Sequence, residues 1–264
     1  KPLADLLAYA AQFASTVKRK AVLELAEEVG RVADFEVEHP FEDYAFFPMG
    51  IPGYPGTDTG LLERKRDLFV ASPFLSDDIV ARLTDFRGRK TLITRKASVT
   101  PRVFEAFDHV YITKDVLSDN EFGAKQDIHA KLYFAAMEDG NYLYIGSANA
   151  SHNGFYRNGE CLLRLKYKPY QMGFHLFCEE FLPKDGCPFQ ELTGIPEQPE
   201  EDSERKQAAQ VLQEAVYALK GAAVRRSGEN FDLQVESAPL KLAEIVRIAP
   251  LQRRDRSEEH TSEL

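Results

Sequence analysis

The sequence has few cysteines and no long apolar run. It contains three cysteines, an odd number without a CxxC pair, which indicates neither a disulfide framework nor a zinc site. No stretch approaches the roughly 18 apolar residues that a membrane span requires. The first residues also lack a basic segment followed by an apolar one, so no signal peptide is indicated. These absences favour a cytoplasmic protein with reduced thiols.

Negative charge exceeds positive charge, with 42 aspartates and glutamates against 33 lysines and arginines. The net charge of -9 argues against a protein coated in positive charge for non-specific nucleic-acid binding. A local basic groove is still compatible with this total. The candidate side chains for such a groove are Arg87, Arg89, Lys90, Arg95, Lys96 and Arg102. The alternative, that they occupy a solvated turn and strand ends, stays open.

The two ends of the sequence call for separate treatment. Residues 256–264 resemble the in-frame translation of a sequencing adapter, and we expect them not to be natural protein. The first residue is Lys1 rather than methionine, so we expect the true start to lie upstream. Residues 256–264 are therefore left out of the fold prediction.

Residues 1–65 are predicted to form a helical region and a loop. Apolar residues recur at helical spacing over residues 3–29, with a break near Ser15 and Thr16. Residues 35–37 alternate like a strand. Residues 48–60 are dense in glycine and proline. Their prolines and the lack of a GK[ST] ending favour a surface loop over a phosphate-binding loop.

Residues 66–182 alternate between strand and helix patterns, and we predict that they form one folded segment. The expected strands are 67–71, 91–94, 109–113, 128–134, 142–145 and 161–165, with helices after Ser76, after Thr100 and over 170–182. Strands separated by helices indicate an α/β fold with a mixed, mostly parallel sheet flanked by helices.

Residues 183–204 are polar and proline-rich, which is typical of a linker. Residues 205–255 are predicted to begin a smaller α+β segment. Within it we expect a helix over about 204–224 and strands at 231–235 and 242–248.

The residues suited to chemistry lie in two short stretches. His129 and Lys131 are separated by one residue, and so are Ser147 and Asn149, so each pair would share a face if both stretches were strands. Imidazole can act as a nucleophile or a proton donor near neutral pH. An ammonium and an amide can hold phosphoryl oxygens as negative charge builds up. A carboxylate such as Glu160 can orient a histidine.

Each stretch alone is weak evidence, but the combination is specific. His129-Ala-Lys131 followed by Gly146-Ser-Ala-Asn149 resembles the HxK…GSxN motif of the phospholipase D superfamily. The continuation to Glu160 is similar to the GSANxxxxGxxxNxE form of its bacterial members. Residues 72–76 and 91–95 also resemble the opening of such a half. The resemblance covers roughly residues 66–182 and implies that they form the catalytic half.

The resemblance implies a phosphodiesterase that acts through a phosphohistidine, without a metal or other cofactor. It implies that His129 is the nucleophile or the general acid and that Lys131 and Asn149 bind phosphate oxygens. Ser147 would support the site and Glu160 would orient a histidine. Arg95 and Lys96 are added as candidate substrate-binding residues. The family's usual aspartate after the lysine is replaced by Ala136, a loss that is expected to matter little because that residue is usually taken as structural.

The larger departure is that the chain holds one motif, whereas the family uses two. His152 and His175 have no lysine two positions later, so neither supplies the second motif. We expect a second motif-bearing half in the same full-length chain or in a homodimer partner. The substrate is predicted to be a nucleic acid, with a phospholipid as the alternative. A non-catalytic half that only binds phosphate is the third hypothesis.

Overall fold

The computed structural model describes residues 1–114, 128–168, 170–182, 185–196, 223–227 and 230–234. These residues belong to two compact units, 1–197 and 198–264. The first unit contains the motif residues and an eight-stranded sheet. The second unit is described through a single hairpin.

The chain begins with two helices, as predicted. α1 spans Pro2–Ala10 and runs into a 3-10 turn at Ala11–Phe13, and α2 spans Thr16–Arg31. The interruption falls at the predicted place, with Ser15 preceding α2. Within the described part of the chain, no helix combines the length and the apolar character needed to cross a bilayer.

The first strand lies later than predicted. β1 spans Phe41–Met49, whereas residues 35–37 are not in a strand. The predicted strand is wrong because the backbone there bonds to side chains: the Phe35 amide donates to Asp34 Oδ1 at 2.9 Å and to the Tyr44 hydroxyl at 2.8 Å. β1 is an edge strand, a position in which Pro48 is tolerated.

The next elements confirm the predicted alternation. They are β2 (Asp67–Ala71), α3 (Asp77–Leu83), β3 (Arg89–Thr94), α4 (Pro101–Ala106) and β4 (His109–Thr113). Thr100 caps α4 through its hydroxyl, which accepts a hydrogen bond from the Val103 amide at 3.2 Å. β2, β3 and β4 are parallel neighbours.

The remaining elements of the first unit complete a mixed sheet. They are β5 (Leu132–Ala136), β6 (Asn141–Gly146), α5 (His152–Tyr156), β7 (Glu160–Tyr167), α6 (Phe174–Phe181) and β8 (Phe189–Glu191). The strand order is β1-β7-β6-β5-β2-β3-β4-β8. The mixed α/β architecture is confirmed. The expectation of a mostly parallel sheet is not, because every pair outside β2–β3–β4 is antiparallel.

Both faces of the sheet are covered, because alternate residues of each strand bury on opposite sides. Leu68 and Val70 of β2 belong to one core, which also includes residues of α3, α4 and α5. Phe69 belongs to a second core that includes residues of α6. There Phe134 stacks on Phe177 with ring centroids 4.5 Å apart. This two-sided burial fixes the strand ends that carry the motif.

The predicted linker contains a strand of the sheet. β8 lies within residues 183–204 and pairs antiparallel with β4. In the second unit, β9 (Ala223–Ser227) pairs with β10 (Asn230–Gln234), which confirms the strand predicted near residue 231. Most of the helix predicted over 204–224, the strand at 242–248 and the adapter-like tail lie outside the described residues.

Candidate active site at one end of the sheet

The two halves of the motif meet at one end of the sheet, which we call the site edge. It is the end at which β2, β3 and β6 finish and β5 and β7 begin. Leu132 at the start of β5 pairs with Ala71 at the end of β2 and with Ile145 near the end of β6. Gly146 pairs with Leu162 of β7. Residues that are 31 positions apart, His129 and Glu160, are thereby carried to the same end of the sheet.

His129 and Lys131 lie just before β5, not within it. The prediction that both residues belong to the strand is therefore wrong. β2 ends opposite Leu132, so residues 128–131 have no β2 residues with which to pair. The Lys131 carbonyl still accepts a hydrogen bond from the Gly146 amide at 3.2 Å. Likewise Ser147 and Asn149 follow the end of β6 and are in a loop.

Lys131 is held close to the backbone of His129. Its Nζ donates to the His129 carbonyl oxygen at 2.9 Å. Partial burial lowers the pKa of Lys131 from its usual value, and the charge of Glu160 acts in the opposite direction. Lys131 and Glu160 thus lie within electrostatic reach of each other, as a shared site requires.

His129 has an exposed side chain. Among the described residues, no hydrogen bond joins its ring to Glu160 or to another side chain. Glu160 instead accepts a hydrogen bond from Asn158 Nδ2 at 3.2 Å. The predicted role of Glu160, orienting a histidine, remains a prediction.

Ser147 ties the motif loop to β7. Its amide donates to the Cys161 carbonyl at 3.0 Å, and its hydroxyl accepts from the Cys161 amide at 3.1 Å. This reciprocal pair fits the supporting role predicted for the serine. Gly146 lies where a side chain would overlap the Cys161 carbonyl oxygen, which explains the glycine before it.

Asn149 has an unsatisfied polar atom. Its Oδ1 is buried and has no hydrogen-bond partner among the described residues. Most buried polar atoms in folded proteins are paired, so an orphan at a predicted phosphate-binding residue suggests that a ligand, a solvent molecule or a second half supplies the missing donor. Gly154 packs beside this residue, where any side chain would overlap the Asn149 carbonyl oxygen.

The loop after β2 supports the motif loop, a role that the sequence prediction missed. The Ala150 amide donates to Ser72 Oγ at 2.9 Å, and the Ser76 amide donates to the Ala150 carbonyl at 3.1 Å. The phrase Ser72-Pro-Phe-Leu-Ser76 resembled the family opening, but only the structure shows what its serines contact.

His152 and His175 each lie beside a carboxylate that is not part of the motif. His152 Nδ1 lies 2.7 Å from Asp78 Oδ2, and its amide donates to Ser76 Oγ at 2.7 Å. Hydrogen bonds lower the pKa of Asp78. The largest contribution comes from Ser76 and the next from His152. His175 on α6 forms an ion pair with Glu179 at 3.7 Å.

The basic residues proposed for substrate binding divide between two ends of β3. Arg95 and Lys96 directly follow the strand at the site edge. Arg89 and Lys90 begin the strand at the opposite end, where Arg89 pairs with Asp67 at 2.8 Å. The candidate cations Arg87, Arg89, Lys90, Arg95 and Lys96 therefore do not lie at one end of the sheet, and Arg95 and Lys96 are those at the site edge.

A metal site would need several ligating side chains held close together. In the part of the chain that the structure describes, no three His, Cys, Asp or Glu side chains are arranged to hold a metal ion.

Comparisons with known proteins give structural similarity only. No protein-family model and no curated protein matches the chain. Similar solved structures include Nuc from Salmonella typhimurium, described as a phospholipase D family member, at 12% identity and a TM-score of 0.36 over 48% of this chain and 86% of that one. NucT from Helicobacter pylori matches at 17% identity and a TM-score of 0.35, over 47% of this chain and 84% of that one.

A longer protein is also similar. Phosphatidylserine synthase from Haemophilus influenzae Rd KW20 matches at 11% identity and a TM-score of 0.44, over 75% of this chain and 53% of that one. Each of these TM-scores is below 0.5, so the similarity carries no argument about function.

Proposed function

We propose that the chain supplies one half of a phosphodiesterase site that acts through a phosphohistidine intermediate. The observation that supports this most directly is the convergence of the two motif stretches at the site edge. The Gly146 amide bonds to the Lys131 carbonyl, and Ser147 is tied to the start of β7 next to Glu160. The segments that carry a histidine, an ammonium, an amide and a carboxylate thereby reach the same end of the sheet.

The proposed chemistry needs two histidines. One imidazole attacks phosphorus, so a P–N bond forms as the P–O bond to the leaving alcohol breaks. The other imidazole gives its proton to the leaving oxygen. It then takes a proton from the water that hydrolyses the P–N bond, and both rings return to their starting state. His129 takes one of these roles, and Lys131 and Asn149 hold the phosphoryl oxygens.

A nucleic acid is our preferred substrate. Arg95 and Lys96 follow β3 at the site edge, two strands away from β5 in the sheet. That is a lateral distance of about 10 Å, given the usual spacing of strands. Cations at this distance from the motif can neutralise phosphates that flank the cleaved one, and binding should weaken steeply as salt rises. A phospholipid substrate would show vesicle binding without nucleic-acid affinity.

Isolated molecules of this chain are expected to have little activity. One motif supplies one histidine, so the second must come from another half, in the same full-length chain or in a partner copy related by a two-fold axis. We prefer the first source. Light scattering should then show a monomer. A separate assay should show little turnover of bis-p-nitrophenyl phosphate. A stable dimer with high diesterase activity would overturn this preference, although the phosphodiesterase assignment would stand.

Activity of the paired enzyme is expected to survive excess EDTA. In the proposed mechanism Lys131 and Asn149 stabilise the charge for which many other nucleases use cations. Turnover of the same diester should be measured before and after dialysis against EDTA, with a magnesium-dependent nuclease as the positive control. A strict requirement for added Mg²⁺ or Zn²⁺ would contradict the mechanism.

A further inference from the structure

An exposed aromatic residue lies beside the candidate site. Phe74 is in the loop between β2 and α3, at the site edge, and is 48% exposed. The same loop contains Ser72, which bonds to the motif loop through the Ala150 amide. Phe74 is therefore two residues after Ser72, which contacts Ala150, the residue that follows Asn149.

The backbone that carries Phe74 is firmly held. The Ser72 amide donates to the Ile93 carbonyl at 3.1 Å, and Thr94 Oγ1 donates to the Ser72 carbonyl at 2.7 Å. Ser98 Oγ donates to the Pro73 carbonyl at 2.7 Å, and Ser72 Oγ donates to the Phe74 carbonyl at 2.9 Å. Four bonds over three residues fix this loop, so the ring is presented to solvent from a rigid support.

A planar cation accompanies the ring. The Arg95 guanidinium carbon lies 5.1 Å from the centre of the Phe74 ring, within the range of a cation–π contact. An aromatic ring gives a nucleobase a surface on which to stack, and an arginine can stack and also bind phosphate. The pair therefore combines the two elements of sites that bind single-stranded nucleic acids.

We propose that Phe74 and Arg95 form a stacking platform for an unpaired base next to the phosphodiester that the site cleaves. This inference rests on the proposed phosphodiesterase function and narrows its substrate to single-stranded nucleic acid. A base within a duplex is covered on both faces by its neighbours, so only an unpaired base can use the platform.

The surroundings of Phe74 fit a base better than a lipid surface. Membrane-binding surfaces generally present a broad apolar area. Of the exposed large apolar residues in the described part of the first unit, Phe74 and Ile145 are the ones at the site edge, while several others lie on α2 or close to its ends. One ring paired with a cation is a small, planar target.

The test compares oligonucleotides with and without bases. Binding of a labelled oligo-dT and of the same strand made abasic would be measured by fluorescence anisotropy, in the paired full-length enzyme carrying His129→Ala to prevent cleavage. Phe74→Ala and Phe74→Leu should each weaken oligo-dT binding about tenfold to a hundredfold, the range of one base-stacking contact. Neither should weaken binding of the abasic strand. Tyr170→Ala, which removes an aromatic residue that is 81% exposed elsewhere, is the matched control and should change nothing.

The outcomes separate the two proposals. If Phe74→Ala binds oligo-dT as the His129→Ala parent does, or loses equal affinity for both strands, the stacking platform is excluded. If only anionic phosphatidylglycerol vesicles bind, and Phe74→Ala abolishes that binding, the surface is a lipid site instead. Turnover of bis-p-nitrophenyl phosphate by the enzyme with His129 intact is measured separately. Its absence would overturn the phosphodiesterase while leaving the binding result interpretable.

Discussion

Replacing His129 with alanine is expected to lower turnover of bis-p-nitrophenyl phosphate by several orders of magnitude in the paired, active enzyme. Loss of a nucleophile or of the acid that protonates the leaving group has effects of this size. Because the His129 side chain is exposed and no described residue is hydrogen-bonded to its ring, the substitution should leave stability unchanged. A steady-state assay alongside a thermal unfolding curve would separate the two effects.

The matched control is His175→Ala. His175 is also an exposed histidine, but it lies on α6 and pairs with Glu179. It should retain full turnover. If His129→Ala also kept activity within a few-fold of the unmodified enzyme, the catalytic role of His129 would be wrong.

The second large effect is expected from Gly146→Ala. A methyl group on Gly146 would overlap the Cys161 carbonyl oxygen, which is backbone and cannot rotate away. Relief of the overlap must displace β6 from β7, at a cost of about 3 kcal/mol in the free energy of unfolding. Urea unfolding monitored by circular dichroism would measure this loss.

Gly194→Ala provides the comparison, because its added methyl group would meet nothing within 4 Å. It should change the unfolding free energy by less than about 0.5 kcal/mol, as surface substitutions generally do. Equal stability of the two variants would show that β6 and β7 do not approach as closely as the structure indicates. Since Cys161 also bonds to Ser147, we expect Gly146→Ala to impair diesterase activity as well.

The elements that sequence predicted well are those whose signals are local. β2 and β4 were placed at their observed bounds because each is a short apolar run between polar residues. The start of α4 followed from Thr100 and Pro101, whose cap and fixed backbone angle act within one turn.

The failures depend on contacts that are distant in sequence. β1 contains Pro48 and two acidic residues, so its pattern did not suggest a strand. It is stabilised by pairing with β7, more than a hundred residues later. The start of β5 was placed too early because residues 128–131 continue the alternation, and only the ends of β2 and β6 stop the ladder.

The candidate site was predicted as a set of residues but not as an arrangement. The motif indicated a set of positions, and the structure carries them to the site edge, while their catalytic roles stay predictions. It could not show that Ser147 bonds to the backbone of Cys161, or that Ser72 supports the loop at Ala150. The division of the basic residues was foreseeable, because Arg89 and Arg95 lie at opposite ends of one predicted strand.

The short strand β8 sets the shortest version of the first unit that keeps its sheet edge covered. It covers the outer edge of β4, with further backbone bonds from Lys114 to Pro188 and from Leu192 to Val110. A chain that stopped at residue 182, after α6, would leave the edge of β4 open for pairing with other molecules, which is a common route to aggregation. A first unit prepared alone for binding or crystallisation should therefore extend past Leu192, so that β8 still covers the edge of β4.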